Sequence, residues 1–134
     1  MKHIATAVLR LPNGKLALQR RAPDAEISPG KLGLFGGHIE EGESAEEAVI
    51  RELGEETSLD VASLAITECL QITMVPDAAH PDEVEYTIFQ APIPDEPFEV
   101  YEGTGFEVYA LHEALARDDL TRSTRFALTT LEKE

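Results

Sequence analysis

The sequence predicts an α/β chain in which a mixed β-sheet lies between helices, and three observations carry this. β-branched and apolar runs recur along the chain, at residues 4–11, 15–21, 62–75, 84–91 and 106–111. Only a few helical stretches are interspersed among them, which suits a sheet covered on its faces. No internal repeat, low-complexity tract or linker interrupts the sequence, so residues 1–134 are expected to form one domain.

The runs 4–11 and 15–21 flank Pro12-Asn13-Gly14, a short turn signal, and so read as a hairpin. A loop rich in Gly and Pro follows, from Ala22 through Ser28-Pro29-Gly30 to the apolar patch Leu32 to Phe35. A helix opens at Ser44, because Ser44-Ala45-Glu46-Glu47 puts a hydroxyl at the start and a carboxylate three residues later, the pattern of a capping box. It should end near Thr57 or Ser58. The runs 62–75 and 84–91 read as strands separated by the Pro- and Asp-rich loop 76–82. The run 106–111 precedes HEALARDD, a short helix, and residues 123–131 close the chain as a helix with Phe126, Leu128 and Leu131 toward the core.

The net charge is −15, with 26 Asp and Glu against 11 Lys and Arg. Neutralising a phosphate backbone needs a basic face, so a nucleic-acid polymer is not an expected partner. A small polyanionic ligand would have to bring cations with it. No segment approaches the ~20 apolar residues of a membrane span, and MKHIATAVLR lacks the apolar core of a leader, so the expected setting is the cytoplasm and no membrane is expected as partner. The one cysteine, Cys69, lies in an apolar run and reads as a small buried side chain. A homodimer stays open.

Residues 51–59, RELGEETSL, hold Glu52, Glu55 and Glu56 close together on the predicted helix. With Ala45 at zero and 100° per residue, they fall at about −20°, −80° and +20°, within one arc of about 100°. Val49, Leu53 and Ile50, at about +40°, +80° and +140°, form the apolar flank, so the acids sit beside the packing face. A solvated charged face would lie opposite the apolar stripe and alternate in sign. Three carboxylates at a packing edge are costly unless a cation neutralises them, and a hard divalent ion with oxygen ligands, Mg²⁺ or Mn²⁺, does so most economically. Arg51 lies next to Glu55 and Glu47 and can orient carboxylates through its fork of donors. Gly54 inside the helix marks either a close approach by another segment or simple tolerance.

With the preceding loop, Gly37 to Leu59 resembles the signature of the Nudix hydrolases. Gly37, Glu43, Arg51, Glu52, Leu53, Glu55, Glu56 and Leu59 match it, while Ser58 stands where the signature has its second Gly. Composition alone gives those eight matches at a given start with a probability on the order of 10⁻⁷. Gln19-Arg20-Arg21, Phe35-Gly36-Gly37 and Glu102-Gly103-Thr104-Gly105 are similar to flanking segments of MutT-like members, with Phe106 or Tyr109 where a Trp is often found. The missing Gly at Ser58 predicts a different or strained helix exit.

The resemblance implies a Nudix-type α/β/α sandwich and hydrolysis of the diphosphate linkage in a nucleoside diphosphate derivative, with Mg²⁺ as cofactor and Mn²⁺ as substitute. It implies Glu52, Glu55, Glu56, Glu102 and the Gly36 carbonyl as metal ligands. Glu52 is the first candidate for the base and Glu102 the alternative, with Arg51 as the orienting member of the catalytic group. Glu43 is expected to pair with Arg51, and Arg21 is the candidate phosphate contact. All four histidines read as non-ligands, and neither a P-loop nor GxGxxG occurs. The implied substrate is a free nucleotide, a nucleoside triphosphate cut to monophosphate and pyrophosphate. ADP-ribose or a nucleotide sugar is the alternative, and a non-catalytic nucleotide-binding module the alternative of another class. LTRSTRF, residues 120–126, shows no Asn where oxidised-guanine sanitisers carry a base-reading amide.

Overall fold

The computed structural model describes residues 1–133. Lys2–Arg10 (β1) and Leu16–Arg20 (β2) form the expected antiparallel hairpin, with Leu9 opposite Ala17. Gly14 N–H donates to the Leu11 carbonyl (2.8 Å), and Lys15 N–H donates to the Asn13 side chain (3.0 Å), which is the chemistry that makes Asn-Gly a turn.

β1 runs through the middle of the sheet. It pairs in parallel with Val84–Pro92 (β6) from Lys2 to Arg10, and Thr67–Met74 (β5) closes that side antiparallel. On the other side its first half meets Phe35–His38 (β4) and its second half meets β2. β2 also carries Leu32–Gly33 (β3) and Phe106–Tyr109 (β7). Among the described residues these strands form one mixed sheet of seven. Two of them lie in what the sequence reads as loop and apolar patch: Leu34 N–H bonds to the Thr124 hydroxyl (3.2 Å) instead of a strand partner, so the patch splits into two pieces too short to show a period.

Alternation along β1 places the core on both faces. Ala5, Ala7 and Leu9 pack with Val49 and Leu53 of Ala45–Glu56 (α1). On the opposite face Val8 packs with Ala114 of Leu111–Leu115 (α2) and Leu128 of Arg122–Glu132 (α3). The α/β class and the sheet between helices are as the sequence predicts.

Three details differ from the sequence reading. The strand expected from residue 62 starts at Thr67, because Val61–Ser63 winds into a short 3₁₀ turn in which the Ser63 N–H (3.1 Å) and hydroxyl (2.8 Å) both donate to the Asp60 carbonyl. Phe126 is 49% exposed; it lies about 160° around α3 from Leu128, and the buried face is instead Thr124, Ala127, Leu128 and Leu131. Cys69 is only partly buried, and its thiol donates to the Ile88 carbonyl (3.2 Å). Of the two aromatic residues named for the place of the Trp, Phe106 stacks on Phe98 (4.2 Å), and Arg117 sits over the Tyr109 ring (4.8 Å).

A Cβ at Gly54 would meet nothing within 4 Å, so no segment approaches the helix there and tolerance is the reading that holds. Gly54→Ala is therefore expected to raise stability by about 0.5–1 kcal/mol. The check is a higher denaturant midpoint at unchanged slope.

Candidate active site

Helix α1 opens with the capping box: the Ser44 hydroxyl accepts from Glu47 N–H (3.1 Å), and the Glu47 carboxylate accepts from Ser44 N–H (2.9 Å). Its buried residues are Ala48, Val49, Leu53 and Glu56. They span about −60° to +80° on the scale used above. Glu56 therefore lies inside the packing face, not beside it, and is 1% exposed. The same arc excludes Ile50, expected on the apolar flank but 40% exposed.

The Glu56 carboxylate accepts from Gly36 N–H at 2.9 Å. Burial, first, and then a hydrogen bond with Glu102 and the charges of Glu102 and Glu52 push its carboxyl up to about 9, against the opposing pull of the Gly36 N–H. At neutral pH it holds a proton. No arginine or lysine reaches it among the described residues.

The helix exit explains why Glu102, 46 residues further on, lies beside Glu56. Thr57 leaves the helix extended (φ −137°) and bridges to Val100. Ser58 N–H donates to the Glu99 carbonyl (3.0 Å), the Ser58 hydroxyl accepts from Glu99 N–H (2.7 Å), and Tyr101 N–H donates to the Glu56 carbonyl (2.7 Å). Ser58 thus does not take the left-handed conformation, and the strain expected from the missing Gly does not arise. On its other side the Glu102 loop is tied to β2: Thr104 N–H donates to the Arg20 carbonyl (3.0 Å), and the Gln19 amide to the Glu102 carbonyl (3.3 Å). The Arg20 guanidinium is itself clamped by Glu107 (2.6 and 2.8 Å) and Asp119 (2.8 Å).

Glu52 is held by a strand and by an arginine. A Cβ at Gly37 would come within 2.6 Å of the Glu52 carboxyl carbon, so only glycine leaves room for that side chain. Gly36 is equally constrained: at φ +143° a Cβ would meet the Ala5 carbonyl oxygen at 2.1 Å. Arg51 donates to Glu43 (2.7 and 3.1 Å), to Glu52 (3.0 Å), to Glu55 (3.3 Å) and to the His38 carbonyl (3.1 Å). The expected Glu43 partner is present, while Glu47 is taken by the helix cap.

Among the described residues no three His, Cys, Asp or Glu side chains stand so as to hold a metal ion. Glu55, 58% exposed, is drawn onto Arg51 rather than toward Glu56. The donor set nevertheless fits a hard divalent cation: it is oxygen only, and a cation would oppose the burial and the Glu102 and Glu52 charges that raise the Glu56 carboxyl.

A cleft of about 280 Å³ opens beside Gly36 and Gly37, with Thr6, Arg21, Leu34 and Tyr86 in its walls. It adjoins a second of about 500 Å³ that reaches the 76–82 loop. His38 lines both. Arg21 donates through Nε to the Ile27 carbonyl (2.9 Å) and forms no ion pair among the described residues. Thr6 and Tyr86 were not expected from the sequence. The signal for Thr6 was a single hydroxyl between Ile4 and Val8 on one face of the strand.

The NUDIX domain family model matches residues 1–128. This chain belongs to the Nudix family. The 8-oxo-dGTP diphosphatase of Escherichia coli (strain K12) is 40% identical over 68 residues, which are 51% of this Nudix chain and 52% of that protein. The match thus spans about half the length of the curated relative. A MutT NUDIX hydrolase from Burkholderia pseudomallei superposes with a TM-score of 0.76 at 26% identity, covering 96% of this chain and 95% of the other. DR0079 from Deinococcus radiodurans gives 0.83 at 20% identity, covering 96% and 82%, and shows the shared fold. No helix among the described residues is long and apolar enough to cross a membrane.

Proposed function

We propose that this Nudix chain is a single-domain, metal-dependent hydrolase of phosphoric anhydrides, acting on a nucleoside triphosphate to give the monophosphate and pyrophosphate. One observation carries the reading: a fully buried carboxyl, Glu56, beside Glu52 and Glu102 and hydrogen-bonded to Gly36, a residue that lines the cleft of about 280 Å³. The diphosphatase name of the curated relative supports the choice of triphosphate over other diphosphate derivatives.

Nudix hydrolases work with a divalent metal, and the ion, when bound, offsets charge on the leaving oxygens and acidifies the attacking water. Glu52, Glu56 and Glu102, with the Gly36 carbonyl, would hold it once their carboxylates turn to a common point, joined by Glu55 on release from Arg51. Mg²⁺ is the proposed ion and Mn²⁺ its substitute. Arg51 grips one oxygen of Glu52 (3.0 Å), which fixes the direction of the other; that oxygen takes the proton from water as the base. Glu102 is the alternative base, brought there by the helix-exit stitch. Arg21, in the cleft wall without an ion-pair partner, contacts the phosphates.

The second cleft of about 500 Å³ favours one further reading, a substrate with a second sugar beyond the diphosphate. A panel of nucleoside triphosphates, ADP-ribose and nucleotide sugars with Mg²⁺ or Mn²⁺ separates the two. Release of pyrophosphate supports the first, and AMP plus a sugar phosphate the second. Tight nucleotide binding with no hydrolysis of any member would leave a binding module in place of an enzyme.

A further inference from the structure

Thr6 sits on β1 opposite Gly36, is 92% buried, and lines the 280 Å³ cleft. Its hydroxyl has no hydrogen-bond partner among the described residues. Such an orphan is costly where it stands, a cost that valine, of the same shape, would avoid. The hydroxyls around it are differently placed: Thr121 donates to Thr124 (2.6 Å), and Thr124 accepts from Leu34 N–H (3.2 Å). Ile4, Leu34 and Tyr86 supply apolar surface to the cleft, and Ser28, His38 and Ser123 line it as well. The cleft therefore sets apolar surface beside a buried hydroxyl that lacks a partner, a layout that suits a planar heterocycle with a polar edge.

We propose that Thr6 is a specificity-determining residue, whose hydroxyl hydrogen-bonds an exocyclic carbonyl or amine of the substrate's base. This rests on the nucleotide reading above and deepens it. A 120° turn about χ1 carries the hydroxyl into the place the methyl now holds, and the methyl into that of the hydrogen, so the hydroxyl can be re-aimed without moving the strand. Because a hydroxyl both donates and accepts, it recognises a polar edge of either kind but gives no contact to a base that presents carbon there. This is a hydroxyl-based selection, in keeping with the absence of an amide in residues 120–126.

The test uses the full chain with Mg²⁺ and the α,β-methylene analogues of ATP, GTP, CTP and UTP, with inorganic tripolyphosphate as the probe lacking a base. Calorimetry gives each affinity for the parent, Thr6→Val and Thr6→Ser, and thermal unfolding gives their stabilities. Thr6→Val is expected to bind the preferred analogue about 10-fold more weakly, to bind tripolyphosphate as the parent does, and to melt no lower than the parent. Thr6→Ser should stay within about 3-fold of the parent. Equal analogue affinities for parent and Thr6→Val, or a parallel loss of tripolyphosphate binding, would overturn the assignment while leaving the nucleotide reading standing. A parent that binds tripolyphosphate but no analogue would overturn both.

Discussion

Glu56→Gln is expected to lower turnover of the preferred nucleotide at least ~10²-fold while leaving the metal-free protein as stable as the parent at acid pH and more stable at alkaline pH. The reason is the buried position of the side chain. Near neutral pH the parent's Glu56 is protonated, so Gln keeps the 2.9 Å bond from Gly36 N–H and still has a donor for Glu102. What Gln lacks is the negative charge that a cation would meet. The linkage has a definite sign: the folded-state value is raised from 4.5 to about 9, so the parent's stability is fully present below pH 4.5 and is lost progressively as pH rises to about 9. Glu56→Gln removes that slope. Unfolding in chelator at pH 5 and pH 8.5, beside steady-state rates with Mg²⁺, checks both halves. A variant with parent-like turnover removes Glu56 from the site.

Gly37→Ala is expected to reduce turnover by about 10²-fold through displacement of Glu52, without changing any charged group. The added methyl would stand 2.6 Å from the Glu52 carboxyl carbon, far inside contact distance. Strand β4 is held in register by β1, with Ala5 opposite Gly37, so the flexible side chain gives way before the backbone does. Glu52 then loses its 3.0 Å bond with Arg51. Steady-state kinetics should show the loss in kcat more than in KM, since Arg21 is untouched and the atoms nearest the added methyl are those of the Glu52 carboxylate. A Gly37→Ala enzyme with unchanged kcat would mean that Glu52 does not act from this position.

Much of the fold and part of the site were legible in the sequence. The capping box fixed the start of α1, and Asn13-Gly14 fixed the hairpin, because both depend on hydrogen bonds within a few residues. The clustering of Glu52, Glu55 and Glu56 followed from helical angle alone. What the angle did not show was how far each is buried, since that depends on which strand packs over the helix. Glu56 proved to be part of the packing face, and Glu55 was diverted to Arg51 at 3.3 Å. Ser58 looked like a defect because the signature has Gly there, yet its hydroxyl and N–H stitch the helix exit to Glu99, a partner 41 positions away. Phe126 was misplaced by counting hydrophobicity without phase. Thr6 carried a signal in its alternation, but an unpaired hydroxyl is visible only when every neighbour is in view.

The central claim is that a divalent cation, and not a proton, is what the buried Glu56 carboxyl is built to meet. Calorimetric titration of Mg²⁺ into the metal-free protein at pH 7.5, repeated in two buffers of different ionisation heat, measures it directly. Binding is predicted to release about one proton per ion, with both binding and release lost in Glu56→Gln. Mg²⁺ binding that releases no proton, or that persists unchanged in Glu56→Gln, would contradict the account.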